Sequence, residues 1–228
     1  MRKLIIIGGR GNGGTVASLV EDINHDESSW ELLGFFNDDD PIGTILYDYP
    51  VLGRPEDMAD RKYGDVCFSY SPILSMSYGK TNAERLERMG LPSERFATLV
   101  HPSTSVARHS KIGHGVVIMA MAQIRQGVEI GNHVILLFGS SVGHDSTVGD
   151  YSFIANNAVI GAHAALEKGA YLGSNAVTLE GVTLGEWCLA GIGAVVIRDV
   201  PPMAVVVGNP AGFVGERTFE TFGPRGKV

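Results

Sequence analysis

The chain has 228 residues, 44% of them hydrophobic and 19% charged, with a slightly positive mean hydropathy, the composition of an ordinary soluble globular protein. A formal net charge of −7 argues against the basic face that nucleic acid or an anionic membrane requires, though it leaves room for an anionic small molecule held by backbone amides and one or two cations. Two cysteines, Cys67 and Cys188, make neither a disulfide framework nor a zinc set and read as small buried residues of a reduced compartment.

The opening MRKLIIIGG holds an apolar run of four, too short for the hydrophobic region of a signal peptide. No segment approaches the ~18 apolar residues of a membrane span, and a cytoplasmic location is expected. The run LIII ends in GGRGNGG (residues 8–14), followed by the amphipathic TVASLVEDI, the order of a strand, a loop and a helix. WELLGFF then leads into the acidic turn NDDDP, DVCFSY precedes a helix-like stretch from Lys80 to Met89, and FATLV leads into HPS. Strands alternating with helices predict a small α/β domain with parallel strands over residues 1–98.

From Val106 the period changes. Every sixth residue through Val196 gives sixteen positions, of which fourteen are Val, Ile or Leu, and all sixteen residues lying four further on are Ser, Ala, Val or Cys. Glycine often follows the aliphatic residue directly, as at Gly113, Gly131, Gly149, Gly161 and Gly173, which reads as a turn requirement. A period of six predicts a β-helix of hexapeptides over residues 99–212, three hexads to an 18-residue triangular coil, aliphatic residues inward and coils at the ~4.8 Å strand spacing. Pro201, Pro202 and GNPAG (208–212) are expected to end it, leaving a polar tail over 213–228.

Two features of this frame carry chemistry. The glycine loop Gly8, Gly9, Arg10, Gly11 and Asn12 follows a strand and opens a helix, the context of a phosphate cradle. The stretch SSVGHDSTVGD places a titratable pair, His144 and Asp145, inside otherwise architectural hexads. A histidine of near-neutral pKa suits a general base, a carboxylate beside it would fix its tautomer, and backbone N–H groups one coil onward could serve an oxyanion. Eighteen residues beyond His144 is Ala162, and the same arithmetic sets Asp145 beneath His163.

The hexapeptide pattern resembles the left-handed parallel β-helix of the hexapeptide-repeat acyltransferases. Joined to GGRGNGG, the acidic turn after GFF, LVHPS and SSVGHD, it is similar to the sugar O-/N-acetyltransferases of the sialic-acid O-acetyltransferase type over residues 3–212. These include enzymes acting on nucleotide-linked aminosugars for bacillosamine and perosamine. The resemblance implies an α/β, Rossmann-like N-terminal domain holding the nucleotide, acetyl-CoA lying along the β-helix between subunits of a homotrimer, and no metal. It implies His144 as base and Asp145 as its partner, where close relatives often carry His-Glu. Acetyl-CoA contacts are implied at Ala162, His163, Gly173, Ser174, Gly191 and Ile192, with Ala162 N–H on the carbonyl. The nucleotide-linked sugar falls to Gly8, Gly9, Arg10, Gly11, Asn12, Asn37 and Asp38. Asn12 stands where relatives commonly have His, Asn37 where they have Asp, and SYSP (69–72) lacks their Gly-Asn character.

Three other readings stay open: a sialic-acid-type O-acetyltransferase, a non-catalytic trimeric scaffold, and a γ-carbonic-anhydrase-like metal protein using His109 and His114, five apart. Arg125 and Lys168 read as solvated charges or as partners for CoA phosphates.

Overall fold

The structure is a computed structural model that describes residues 1–26, 28–70 and 77–220. Its first part is a five-stranded sheet of order β3-β4-β2-β1-β5, built from β1 (Arg2–Ile7), β2 (Trp30–Phe36), β3 (Ile45–Leu46), β4 (Tyr49–Gly53) and β5 (Cys67–Tyr70). β1 runs parallel to both β2 and β5, so Leu4 to Ile7 are covered on all sides and fully buried. That is why they form a continuous apolar run without alternation. Helix α1 (Asn12–Asp26) follows β1 and packs on β1 and β2. Helix α2 (Gly79–Met89) ends on Gly90, whose φ of 61° closes the helix with its N–H on the Glu87 carbonyl.

Two details differ from the sequence reading. β3 and β4 form an antiparallel hairpin that no periodicity announced, turned by Tyr47 and Asp48 at φ 47° and 68°. FATLV does not make one strand of the α/β sheet: Phe96 bridges Phe68 there, while Leu99–Val100 (β6) already pairs with Val117–Ile118 of the repeat region.

The repeat region consists of two-residue strands stacked in three parallel sheets, each strand pairing with the one 18 residues on, as Gln123 with Ser141 and Glu129 with Thr147. Face I runs from Ser105–Val106 to Val195–Val196, and face II from Lys111–Ile112 to Thr183–Leu184. Face III begins with β6. The aliphatic positions point into the prism, where Leu136, Val142, Ile154 and Leu172 are fully buried, and the small residues Ala158, Ala170 and Ala176 fill the space beside them. Buried hydroxyls at these small positions bond to the next coil, Ser146 Oγ to the Gly161 carbonyl at 2.9 Å and Ser152 Oγ to that of Glu167 at 3.0 Å.

The glycines that follow the aliphatic residues serve spacing and not turn conformation. A Cβ on Gly149 or Gly161 would lie 2.7 Å from the backbone N of Lys168 or Glu180, and one on Gly173 would lie 2.7 Å from the Gly191 carbonyl carbon. The left-handed backbone conformation falls two residues after these glycines, on residues such as Asp145, Tyr151 and His163 at φ 56°, 62° and 55°.

The solenoid also continues past its prolines. Each coil's strand N–H groups donate to the following coil, as Thr147 N to the Ala164 carbonyl and Ala165 N to that of Val182. At face II's last edge the register shifts so that Leu184 bridges Val200, and Pro201 follows that bridge where the described chain offers no further coil to accept a bond, so it forfeits none. Ala204–Val207 then adds to face III parallel to Leu189–Ala190, and Gly212–Glu216 folds back antiparallel, so part of the expected tail is strand. Residues 221–228 lie outside the described residues.

The corner between faces II and III seats the α/β domain. His133 packs edge-on against Phe96 and stacks on Tyr151, with ring centroids 4.7 and 5.2 Å away, and Trp187 meets Phe219. Lys168 is not a solvated charge: it pairs with Glu87 of α2 at 2.8 Å, over the Tyr151 ring. His101 accepts from Ser103 N–H at Nδ1 and holds Asp22 of α1 with Nε2, 3.3 Å away. Arg217 lies buried over Phe219 and Tyr171, and burial pushes its guanidinium down to about 10. The chain then returns to α2, where Glu220 accepts from Thr81 Oγ1 at 2.7 Å.

Candidate active site

His144 and Asp145 stand at the corner between Ser141–Val142 of face I and Thr147–Val148 of face II. The left-handed conformation at Asp145, with its N–H on the Gln126 carbonyl, swings the carboxylate back toward its neighbour. Asp145 Oδ2 lies 2.8 Å from His144 Nδ1, so the one-carbon-shorter acid reaches the imidazole. An ionised carboxylate only accepts, which places the ring proton on Nδ1 and leaves the Nε2 lone pair open. Both side chains remain more than half exposed, at 54% and 56%, within reach of a bound substrate.

One coil on, Ala162 presents its backbone at the same corner. Among the described residues its N–H makes no hydrogen bond. The coils approach so closely here that a Cβ on Gly143 would stand 2.5 Å from that nitrogen, so glycine keeps the donor uncovered. A nearby imidazole acceptor and an unengaged N–H are the two parts that acyl transfer to an amine or hydroxyl requires.

His163 takes the left-handed position above Asp145, with its N–H on the His144 carbonyl at 2.9 Å. Its ring meets the His144 ring edge-on, centroids 4.9 Å apart, and its Nε2 lies 3.8 Å from Glu180 Oε1. The stacking anticipated between Asp145 and His163 is therefore mainly a contact between two imidazoles. Gly173, Ser174, Gly191 and Ile192 are not brought to this corner. They lie where face III passes into face I, so the strands of face I separate them from His144 within one chain. Ile192 is 79% exposed there.

The N-terminal residues form a second cluster. A Cβ on Gly9 would lie 2.2 Å from Asn37 Nδ2, and one on Gly14 would enter the Tyr47 ring, so these glycines admit the loop against its neighbours. Gly11 N–H donates to Tyr47 Oη at 3.0 Å, and exposed Arg10 lies 3.6 Å from Asp40. Asn12 opens α1. Asn37 is buried, giving Nδ2–H to Asp40 and accepting from Asp39 N–H. Asp38 is gripped by Arg85 of α2 through two bonds of 2.6 and 2.9 Å, and Arg85 Nε also donates to Glu56 at 2.8 Å. These acids hold the Arg85 guanidinium above its ordinary pKa. Neither Arg85 nor Tyr47 was singled out from sequence: each acts through a partner about 36 to 47 positions away. Of SYSP, Ser69 and Tyr70 end β5, whereas Ser71 and Pro72 lie outside the described residues.

His109 and His114 join no cluster of metal-ligating side chains among the described residues, so the γ-carbonic-anhydrase-like arrangement gains no support. Among the described residues Arg125 reaches only Gln123, at 3.2 Å.

Comparison with known proteins shows what these parts resemble. The GMPPB C-terminal domain family matches residues 96–191. The acyl-[acyl-carrier-protein]–UDP-N-acetylglucosamine O-acyltransferase of Ectopseudomonas mendocina (strain ymp) is 29% identical over 107 residues, 46% of this chain. That stretch spans 42% of the O-acyltransferase's own length. Three solved structures align over 93% of this chain. WeeI from Acinetobacter baumannii AYE has TM-score 0.78, 26% identity and 100% of its chain covered. The acetyltransferase domain of PglB from Neisseria gonorrhoeae FA1090, in complex with acetyl coenzyme A, has TM-score 0.80, 25% identity and 99% coverage. PerB from Caulobacter crescentus, in complex with CoA and GDP-perosamine, has TM-score 0.78, 22% identity and 97% coverage. The three stacked parallel sheets fit the left-handed β-helix of the hexapeptide acyltransferases. The chain is thus similar to hexapeptide-repeat acyltransferases, in sequence over part of its length and in fold over most of it.

Proposed function

We propose that the chain transfers the acetyl group of acetyl-CoA to the amine of a nucleotide-linked aminosugar. The observation that carries this reading is the His144–Asp145 pair at 2.8 Å beside the unengaged N–H of Ala162. The amine nitrogen attacks the thioester carbonyl carbon while its proton passes to His144 Nε2. Asp145 stabilises the imidazolium through Nδ1–H, and Ala162 N–H donates to the oxygen as it gains charge. The C–S bond then breaks, and the proton on Nε2 is available to the departing thiolate.

The α/β domain is read as Rossmann-like, with the loop Gly8–Asn12 for the phosphates and Asn37 nearby for the base. Bound acetyl-CoA in the PglB domain, and CoA with GDP-perosamine in PerB, support the substrate classes. A homotrimer is inferred from face I, whose outer surface exposes Val159, Leu179 and Ile197. A second copy seated there would bring its own corner toward Ser174 and Ile192, completing an acetyl-CoA site that one chain divides. A cytoplasmic location is part of this reading, and among the described residues no helix is long and apolar enough to cross a membrane.

The test is thiol release from acetyl-CoA by purified protein against UDP-, dTDP- and GDP-linked aminosugars, with free sialic acid as a hydroxyl acceptor. Turnover with one nucleotide aminosugar supports the reading and names the base. Turnover with sialic acid alone moves the protein to O-acetyl transfer, and no turnover with no acetyl-CoA binding leaves a scaffold.

A further inference from the structure

The same corner holds a set of donors that acyl transfer does not require. We propose that His144, Asp145 and His163 form a binding site for a divalent ion of the zinc class. One ligand atom from each residue lies within 4.8 Å of the others, which is the grouping of this kind found among the described residues. His144 Nδ1 and Asp145 Oδ2 are 2.8 Å apart, already near the bite that two donors present to one ion. A tetrahedral zinc with bonds of ~2.0–2.1 Å spaces its donors by roughly 3.3 Å.

The corner supplies the rest of the geometry. His163 occupies the coil above, locked by its own N–H on the His144 carbonyl, so the backbone fixes both Cβ positions. Its imidazole is 51% exposed and free to turn the remaining distance by side-chain rotation. Glu180 Oε1, 3.8 Å from His163 Nε2, is beyond hydrogen-bond distance but close enough to come within it on a small turn of the ring, as the outer carboxylate of a ligating imidazole. Two imidazoles and a carboxylate suit zinc, cobalt or nickel, whereas magnesium and calcium prefer sites made wholly of oxygen. Water completes the fourth position.

The ion enters where the His144–Asp145 proton lies. Zinc bonds to His144 Nδ1 and Asp145 Oδ2, the ring proton moves to Nε2, and the lone pair that would deprotonate the amine is lost. The site therefore opposes acyl transfer; this consequence alone rests on the function proposed above, and the binding does not.

The experiment is zinc uptake by EDTA-stripped full-length protein in competition with a chromophoric chelator, with no substrate present. The expected result is one ion per chain, undisturbed by excess magnesium and weakened roughly tenfold or more in both His163→Ala and Asp145→Asn. His109→Ala and His114→Ala leave it unchanged. Far-ultraviolet circular dichroism checks each variant's fold, with His163→Gln in place of any that fails. Cobalt uptake, read by the visible absorption of a nitrogen–oxygen site, checks that imidazole ligates. Zinc uptake that is absent, or that persists undiminished in folded His163 and Asp145 variants, overturns the proposal. Site-specific uptake without turnover on the acceptor panel would sustain the metal site while removing the transferase reading. Turnover without zinc uptake would do the reverse.

Discussion

At the scale of residues, the decisive geometry is an aspartate that reaches its neighbouring imidazole only because its backbone adopts a left-handed conformation, φ 56°. The carboxylate fixes which nitrogen carries the proton, so removing its charge should damage catalysis more than binding. Asp145→Asn is expected to lower kcat roughly tenfold or more with little change in the KM of the sugar, measured by steady-state thiol release. The pair was visible in sequence because its two members are adjacent and interrupt a regular repeat. Arg85 was not, since its meaning lies in Asp38 and Glu56, which only folding brings to it. His133 falls at a turn position, where polar residues are ordinarily exposed, yet it is buried between Phe96 and Tyr151, with an Nδ1 that has no hydrogen-bond partner among the described residues.

At the scale of elements, the two-residue strands are too short to stand alone and hold only because each is repeated 18 residues later. A defect in the interior is therefore felt by the coils on both sides. Leu172→Ala, at a fully buried position, should destabilise by about 2–5 kcal/mol, read from the urea midpoint at constant slope. The ladder was legible because inward aliphatic residues, small residues and close-approach glycines recur locally. Its ends were not. Prolines signal an end to a strand in isolation, but Pro201 and Pro202 meet an edge where no outgoing bond is needed, and Ala204–Val207 follows as strand. FATLV reads as one apolar run, although the chain passes between two sheets within it. The β3–β4 hairpin is turned by Tyr47 and Asp48, neither of them glycine, so the usual turn chemistry gave no cue.

At the scale of the whole molecule, the junction between domains and the outer surface of face I should each report separately. Burial depresses His133 to about 4, reinforced by His114 and opposed by the smaller effects of Asp150 and Glu87. Between its ordinary value of about 6.5 and that value, the unfolded chain takes up a proton that the folded chain refuses. Stability is thus full above about pH 6.5 and falls as pH drops toward 4, by on the order of 3 kcal/mol. Comparing urea midpoints at pH 7 and pH 4.5, His133→Phe should lose less stability than the wild type. Equal losses would show that His133 does not couple docking to pH. On face I, Leu179 is 56% exposed, and Leu179→Glu places charge in the surface assigned to a second copy. Sedimentation should show a trimer for the wild type and smaller species for the variant, with loss of acetyl-CoA-dependent turnover.

The central claim is that His144 accepts the proton from the attacking group, and it is tested most directly by kcat/KM for the folded His144→Ala protein with the acceptor the panel identifies. A general base contributes ~10²-fold or more, so the account predicts a loss of at least that size with acetyl-CoA binding retained. A value within a few-fold of the wild type would contradict it.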